Sequence, residues 1–95
     1  MNASPQTPAF KASLAKGVTL TRIEGKSVLF STRTGESYGL NDIGAEMLAK
    51  LFAADSLQAA KQIGAEYNAP EAEIHQDLAE LVGELAGLKL VEVRK

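Results

Sequence analysis

The sequence predicts an α+β fold, a three-stranded antiparallel sheet followed by three helices. Three observations carry this. Between Val18 and Leu40 the chain runs in three short stretches of alternating residues, divided by Glu24-Gly25 and by Thr32-Arg33-Thr34-Gly35. From Asn41 the period changes, and Ile43, Met47, Leu48 and Leu51 recur at helical spacing. The strands come first and the helices after, without interleaving, which is the α+β order. At 95 residues the chain is one domain, and its 45% apolar content is enough for a small core.

Residues 1–15 contain Pro, Ala and Ser, with Phe10 as the only large ring. They are expected to be a flexible arm ahead of a folded domain over residues 16–95, or an arm that docks on a partner or a second copy through Phe10 and Leu14. In the first strand Val18, Leu20 and Arg22 alternate with Thr19, Thr21 and Ile23. Gly25 can take the positive φ of a tight turn. The second strand, Lys26 to Ser31, is expected to turn Val28 and Phe30 inward. Gly35 suits a left-handed position before the third strand, Glu36 to Leu40. The expected core face of the meander is Val18, Leu20, Val28, Phe30, Tyr38 and Leu40.

Asn41 follows the third strand at once, and its side chain can cap a helix over Asp42 to Phe52. Asp55, with Gln58 three residues on, predicts the cap of a second helix running to Tyr67. Asn68-Ala69-Pro70 interrupts the chain, and Glu71 and Glu73 suit the positive end of a third helix. There Ile74, Leu78, Leu81, Val82 and Leu85 form the apolar stripe, with Gly87 as the stop. His75 falls off that stripe and is expected to be solvated. Leu88, Leu90 and Val91 make a short apolar tail with strand character. The last two helices and their short turn resemble a helix-turn-helix, so the outline is winged helix-turn-helix-like.

Composition narrows the chemistry. There is no Cys, so disulfides and thiolate chemistry are excluded, and with a single His no metal site is predicted. No catalytic constellation and no cofactor motif is visible, so the expectation is a protein that is not an enzyme. No apolar run approaches the ~20 residues of a membrane span, and Met1 to Ser13 has no signal-peptide pattern. The expectation is a cytoplasmic protein without a membrane partner. From Gln62 to Leu88 there is no Lys or Arg, while Glu66, Glu71, Glu73, Asp77, Glu80 and Glu84 lie in that interval. A third helix so acidic cannot offset phosphate charge in a DNA groove, so nucleic acid is not the expected partner.

The run Tyr38-Gly39-Leu40-Asn41 leading into an apolar helix, then Ile74-His-Gln-Asp77-Leu78 with Leu81 and Leu85, then Leu88-Lys-Leu-Val91, resembles the PqqD-like family. The resemblance spans roughly Gly17 to Val93. It departs from PqqD proper, which has Val-Lys-Leu-Asn at the strand–helix step and a more Pro/Glu-rich approach to it. It extends to the wider group of leader-peptide recognition domains in pathways to ribosomally made, modified peptides. The resemblance implies binding of a precursor's leader segment by strand addition and its presentation to a modifying enzyme, such as a radical SAM protein or a leader peptidase. The implied site is Glu36, Ser37, Tyr38, Gly39 and Leu40 on the third strand, with Ile74, Asp77, Leu78 and Leu81 on the third helix. Only that strand is both an edge of the meander and joined directly to the helices. Ser37 and Gly39 are the positions at which Pro would delete an N–H; one is expected to point outward and the other inward. The acidic helix calls for Lys or Arg in the leader. The alternatives are a dimerising structural or adaptor module, a homodimer without a peptide ligand, and, disfavoured by the acidic third helix, a winged-helix DNA-binding protein.

Overall fold

The computed structural model describes residues 8–94. Its elements are β1 (Lys11–Leu14), β2 (Val18–Ile23), β3 (Lys26–Ser31), β4 (Ser37–Leu40), α1 (Asp42–Ala53), α2 (Ser56–Tyr67), α3 (Glu71–Gly87) and β5 (Val91–Arg94). The strands β2, β3 and β4 form the expected antiparallel meander in that order, and the three helices follow it. A second, two-stranded sheet pairs β1 with β5 antiparallel, from Lys11 opposite Arg94 to Leu14 opposite Val91.

That second sheet changes the reading of the arm expected over residues 1–15. Lys11–Leu14 is a strand, and Phe10 and Ala12 are buried in the core. The remainder of the expected arm, residues 1–7, lies outside the described residues. Of the apolar tail only Val91 lies in a strand, β5; Leu88 and Leu90 precede it in the turn after α3.

Local chemistry explains the turns and caps. Glu24 and Gly25 have φ of 52° and 82°, the two positive values of a type I′ hairpin turn. Gly35 has φ of 80°, and its N–H donates to the Ser31 carbonyl at 2.9 Å. The buried Ser31 Oγ accepts from Arg33 and Thr34 N–H, both at 3.2 Å, so the β3–β4 turn is held from within. Asn41 caps α1, with Oδ1 accepting from Gly44 N–H at 2.7 Å. Asp55 caps α2 by accepting from Gln58 N–H at 2.9 Å. Asn68 closes α2 in the left-handed conformation at φ 54°. Gly64 is required for the tight α2–α3 approach, because a Cβ there would lie 2.8 Å from the Ala69 carbonyl oxygen.

The core lies between the helices and one face of the meander. Leu29, Leu48, Leu51, Ile63, Leu78, Leu85 and Leu90 are fully buried. Full burial of such a side chain is worth about 1.5–3 kcal/mol relative to exposure. The inward face of β3 differs from the expectation. Ser27, Leu29 and Ser31 point inward; Phe30 is 43% exposed and Val28 is half-buried on the opposite face. Residues directly opposite in an antiparallel pair share a face, and the register sets Leu29 opposite both Leu20 and Tyr38. The two-residue turn at Glu24-Gly25 fixes that register, so turn geometry overrides the greater apolarity of Val28 and Phe30.

His75 also departs from the expectation of a solvated side chain. It is buried, with Nε2 2.7 Å from Ser56 Oγ and its ring 5.7 Å from that of Phe10. Ser56 Oγ in turn accepts from Phe10 N–H at 2.9 Å, and Ser56 N–H donates to the Phe10 carbonyl at 2.8 Å. One serine thus ties the segment before β1 to the start of α2 and to α3. A buried polar cluster of this kind is stable because its members find partners in one another.

Candidate functional site at the open edge of β4

The backbone of β4 sorts its residues into two sets. Ser31 N–H donates to the Glu36 carbonyl at 2.9 Å, and Thr32 N–H donates to the Gly17 carbonyl at 2.9 Å. Hydrogen-bonded and non-bonded pairs alternate along an antiparallel ladder. Glu36, Tyr38 and Leu40 therefore turn their backbone groups toward β3, and Ser37 and Gly39 turn theirs away. Among the described residues no strand pairs with β4 on that side. The expectation that one of Ser37 and Gly39 points inward is corrected: two residues apart, both share the outward direction.

Side chains alternate between faces in the same register. Tyr38 and Leu40 lie on the inner face and Ser37 and Gly39 on the outer one, since Tyr38 opposes the buried Leu29 while Gly39 opposes Val28. Leu40 is buried, Tyr38 half-buried, and Ser37 and Gly39 exposed. Glu36 is exposed one residue before the strand. The direct step from Leu40 to the cap Asn41 holds the strand rigidly against the start of α1.

Of the helices, α1 packs on β4 and α3 is joined to it by a side-chain bond. Tyr38 donates its phenolic O–H to Glu84 Oε1 at 3.2 Å, a contact between positions 46 apart in sequence. Partial desolvation first, and then the Glu84 carboxylate, push the Tyr38 hydroxyl above its ordinary pKa. At 100° per residue, Ile74, Asp77, Leu81 and Glu84 share the flank of α3 that Glu84 brings toward Tyr38, and Leu88 caps the helix beyond them. Ile74, Leu81 and Leu88 are half-buried, and Asp77 and Glu84 are exposed. Leu78 is fully buried. With Leu40, it supports the site from the core rather than lining it.

The structure thus brings Ser37, Tyr38 and Gly39 to an open edge near the Leu81–Glu84 part of α3. Ile74 is ten residues from Glu84, about 15 Å along the helix axis, so only an extended ligand reaches both. Glu84 and Leu88 were not named as site residues from the sequence. Leu88 sits seven residues beyond Leu81, so helical spacing alone could have found it. The Tyr38–Glu84 bond joins two elements far apart in sequence and carries no local signal.

A second polar cluster lies elsewhere, on α1 and α2. Tyr67 donates to Glu46 Oε1 at 2.6 Å, and Lys50 Nζ lies 3.9 Å from Glu46 Oε2. The Tyr67 bond, and one from Glu66, hold the Glu46 carboxyl below its ordinary pKa. The same bond to Glu46, then partial desolvation and the Glu46 charge, raise the Glu66 carboxyl above its ordinary pKa. Tyr67 is pushed up to about 12, first by the bond to Glu46. These are exposed helix-surface groups. Among the described residues no three His, Cys, Asp or Glu are grouped to hold a metal ion. Among the described residues no helix is long and apolar enough to cross a membrane.

Known proteins resemble this chain in two ways. Residues 26–91 match the family model described as coenzyme PQQ synthesis protein D, PqqD. The fold is similar to a structure described as lasso peptide synthetase B1 complexed with the leader peptide. That match has a TM-score of 0.79 and 23% identity, and covers 86% of this chain and 98% of the other. It is also similar to TbiB1 in complex with the TbiA(beta) leader peptide, at a TM-score of 0.75 and 25% identity over 83% of this chain and 93% of the other. No curated protein matches.

Proposed function

Because the chain belongs to the PqqD family, we propose that it binds the leader segment of a ribosomally made precursor peptide and presents it to a modifying enzyme, without chemistry of its own. The observation that carries this reading is the outer side of β4, where the backbone groups of Ser37 and Gly39 face away from the sheet beside α3. An extended peptide laid there as an antiparallel strand satisfies those groups with its own backbone. Both similar structures are described as complexes with a leader peptide, which supports the reading.

Residues of the peptide that fall on the inner face meet Tyr38, Leu81 and, further along, Ile74. The carboxylates of Asp77, Glu80 and Glu84 on α3 favour Lys or Arg in the flanking leader residues. Each such exposed pair is worth only about 0.2–1 kcal/mol, so backbone pairing and apolar anchors dominate the affinity. The enzyme served is of the class that modifies or trims such precursors, a radical SAM protein or a leader peptidase.

Amide chemical shifts test the reading. Titration of the labelled protein with a leader peptide that it binds is expected to move residues 36–40 and the 74–84 part of α3. Shifts confined to Val18–Ile23, the other edge of the sheet, would overturn it.

A further inference from the structure

The outer face of the meander, otherwise lined by Thr19, Thr21, Lys26 and Ser37, carries three apolar side chains open to water. Phe30 is 43% exposed and Ile23 55% exposed there, with Val28 half-buried between them. Gly39 lies on this same face, directly opposite Val28, and Ser37 lies opposite Phe30. A Cβ built on Gly39 meets nothing within 4 Å, and its φ is not positive. Gly39 is therefore required neither by backbone conformation nor by close packing within the chain. What its missing side chain leaves is a shelf, bounded by Val28 and Phe30 and open toward the free edge of β4.

We infer that this shelf is a specificity subsite for one large apolar side chain of the leader, an aromatic in the first instance, at the position paired with Gly39. The inference rests on the proposed strand addition and deepens it. A residue directly opposite Gly39 in an antiparallel strand shares its face, so its side chain leaves the α3 side and lies on the outer face. A ring there folds over the edge glycine and reaches Val28 directly and Phe30 diagonally. This is the packing by which cross-strand aromatics compensate for glycine in sheets. Gly39 faces outward, so this residue exchanges both backbone bonds with it, and the shelf lies where the added strand is held most firmly. The leader then carries anchors in alternation, one set toward Tyr38 and Leu81 and one side chain toward Val28 and Phe30.

The test uses a displayed library of random short peptides, selected separately on the wild-type chain, on Gly39→Thr and on Phe30→Thr. Ser37→Pro is the control for strand addition, since it removes an outward N–H. The wild type is expected to enrich peptides with Phe, Tyr, Trp or Leu at one position. Replacing that side chain by Ala should weaken binding roughly tenfold or more, as for a buried aromatic anchor. On Gly39→Thr and Phe30→Thr the preference should relax, and the same replacement should cost little, which identifies direct coupling. If all three chains enrich the same residue there and only Ser37→Pro abolishes binding, strand addition stands and the shelf is wrong. If Ser37→Pro binds the enriched peptides as well as wild type, or no peptide is enriched, strand addition fails and the shelf fails with it.

Discussion

Two regions of the molecule handle backbone polar groups in opposite ways. Where Phe10, Ser56 and His75 meet, the Phe10 N–H and carbonyl both find Ser56, and the Ser56 hydroxyl reaches His75. Along β4, Ser37 and Gly39 direct theirs out of the sheet. The closed corner is made from segments far apart in sequence and is buried. The open edge is one continuous strand and is exposed. Elements that hold a fold together meet their needs internally; an element that binds must leave some unmet until the ligand comes.

The largest expected effect separates the two outright. Ser37→Pro and Gly39→Pro each delete an outward donor and set a ring in the path of an added strand, where edge positions tolerate proline. Both are expected to abolish leader binding with an unchanged circular dichroism spectrum. If either one unfolds the sheet, the assignment of β4 backbone directions is broken.

The next effect compares two leucines on α3. Leu78→Ala should lower the free energy of unfolding by about 2–5 kcal/mol, the cost of truncating a buried leucine. Leu81→Ala, from the half-buried flank, should cost less and weaken peptide binding instead. Equal losses for the two in a denaturant titration would mean that the α3 flank is core as well. Ser56→Ala comes third. It strips partners from a buried backbone N–H and from His75, and should cost about 1–3 kcal/mol while leaving leader affinity intact.

The smallest effect lies outside both regions. Tyr67 ionises at about 12 against an ordinary value of 10.0, chiefly because it donates to Glu46. Its raised value favours the protonated phenol in the folded state. The stability it contributes is present below pH 10 and is lost as pH rises from 10 toward 12. Glu46→Gln should return the phenolate absorbance transition toward 10 without touching peptide binding.

Much of the open edge was legible from sequence because its causes are local. Gly35 ends a turn, residues 37–40 alternate, and Asn41 caps the helix that begins at the next residue. Asp55 capped α2 where the sequence placed it, for the same reason. The closed corner was not legible. Lys11–Leu14 is a strand only because Val91–Arg94 comes back beside it, and His75 is buried only because Phe10 and Ser56 arrive from elsewhere. Within β3, the run Val28-Leu29-Phe30 offers no alternation by which to choose a face. The choice is made by the turn at Glu24-Gly25 and the partners on either side. The outward direction of Ser37 and Gly39 followed from one bond, Ser31 to Glu36, which only the structure supplies.

The pairing of Lys11 with Arg94 has a consequence for engineering. Paired strands are about 4.7–4.9 Å apart, so the points where the chain enters and leaves this fold are neighbours. A short glycine linker could join them, and the chain could be reopened at the exposed Glu24-Gly25 turn between β2 and β3. The same adjacency suits the domain to insertion within a loop of another protein, with β1 and β5 as the clasp at its base and the β4 edge left clear.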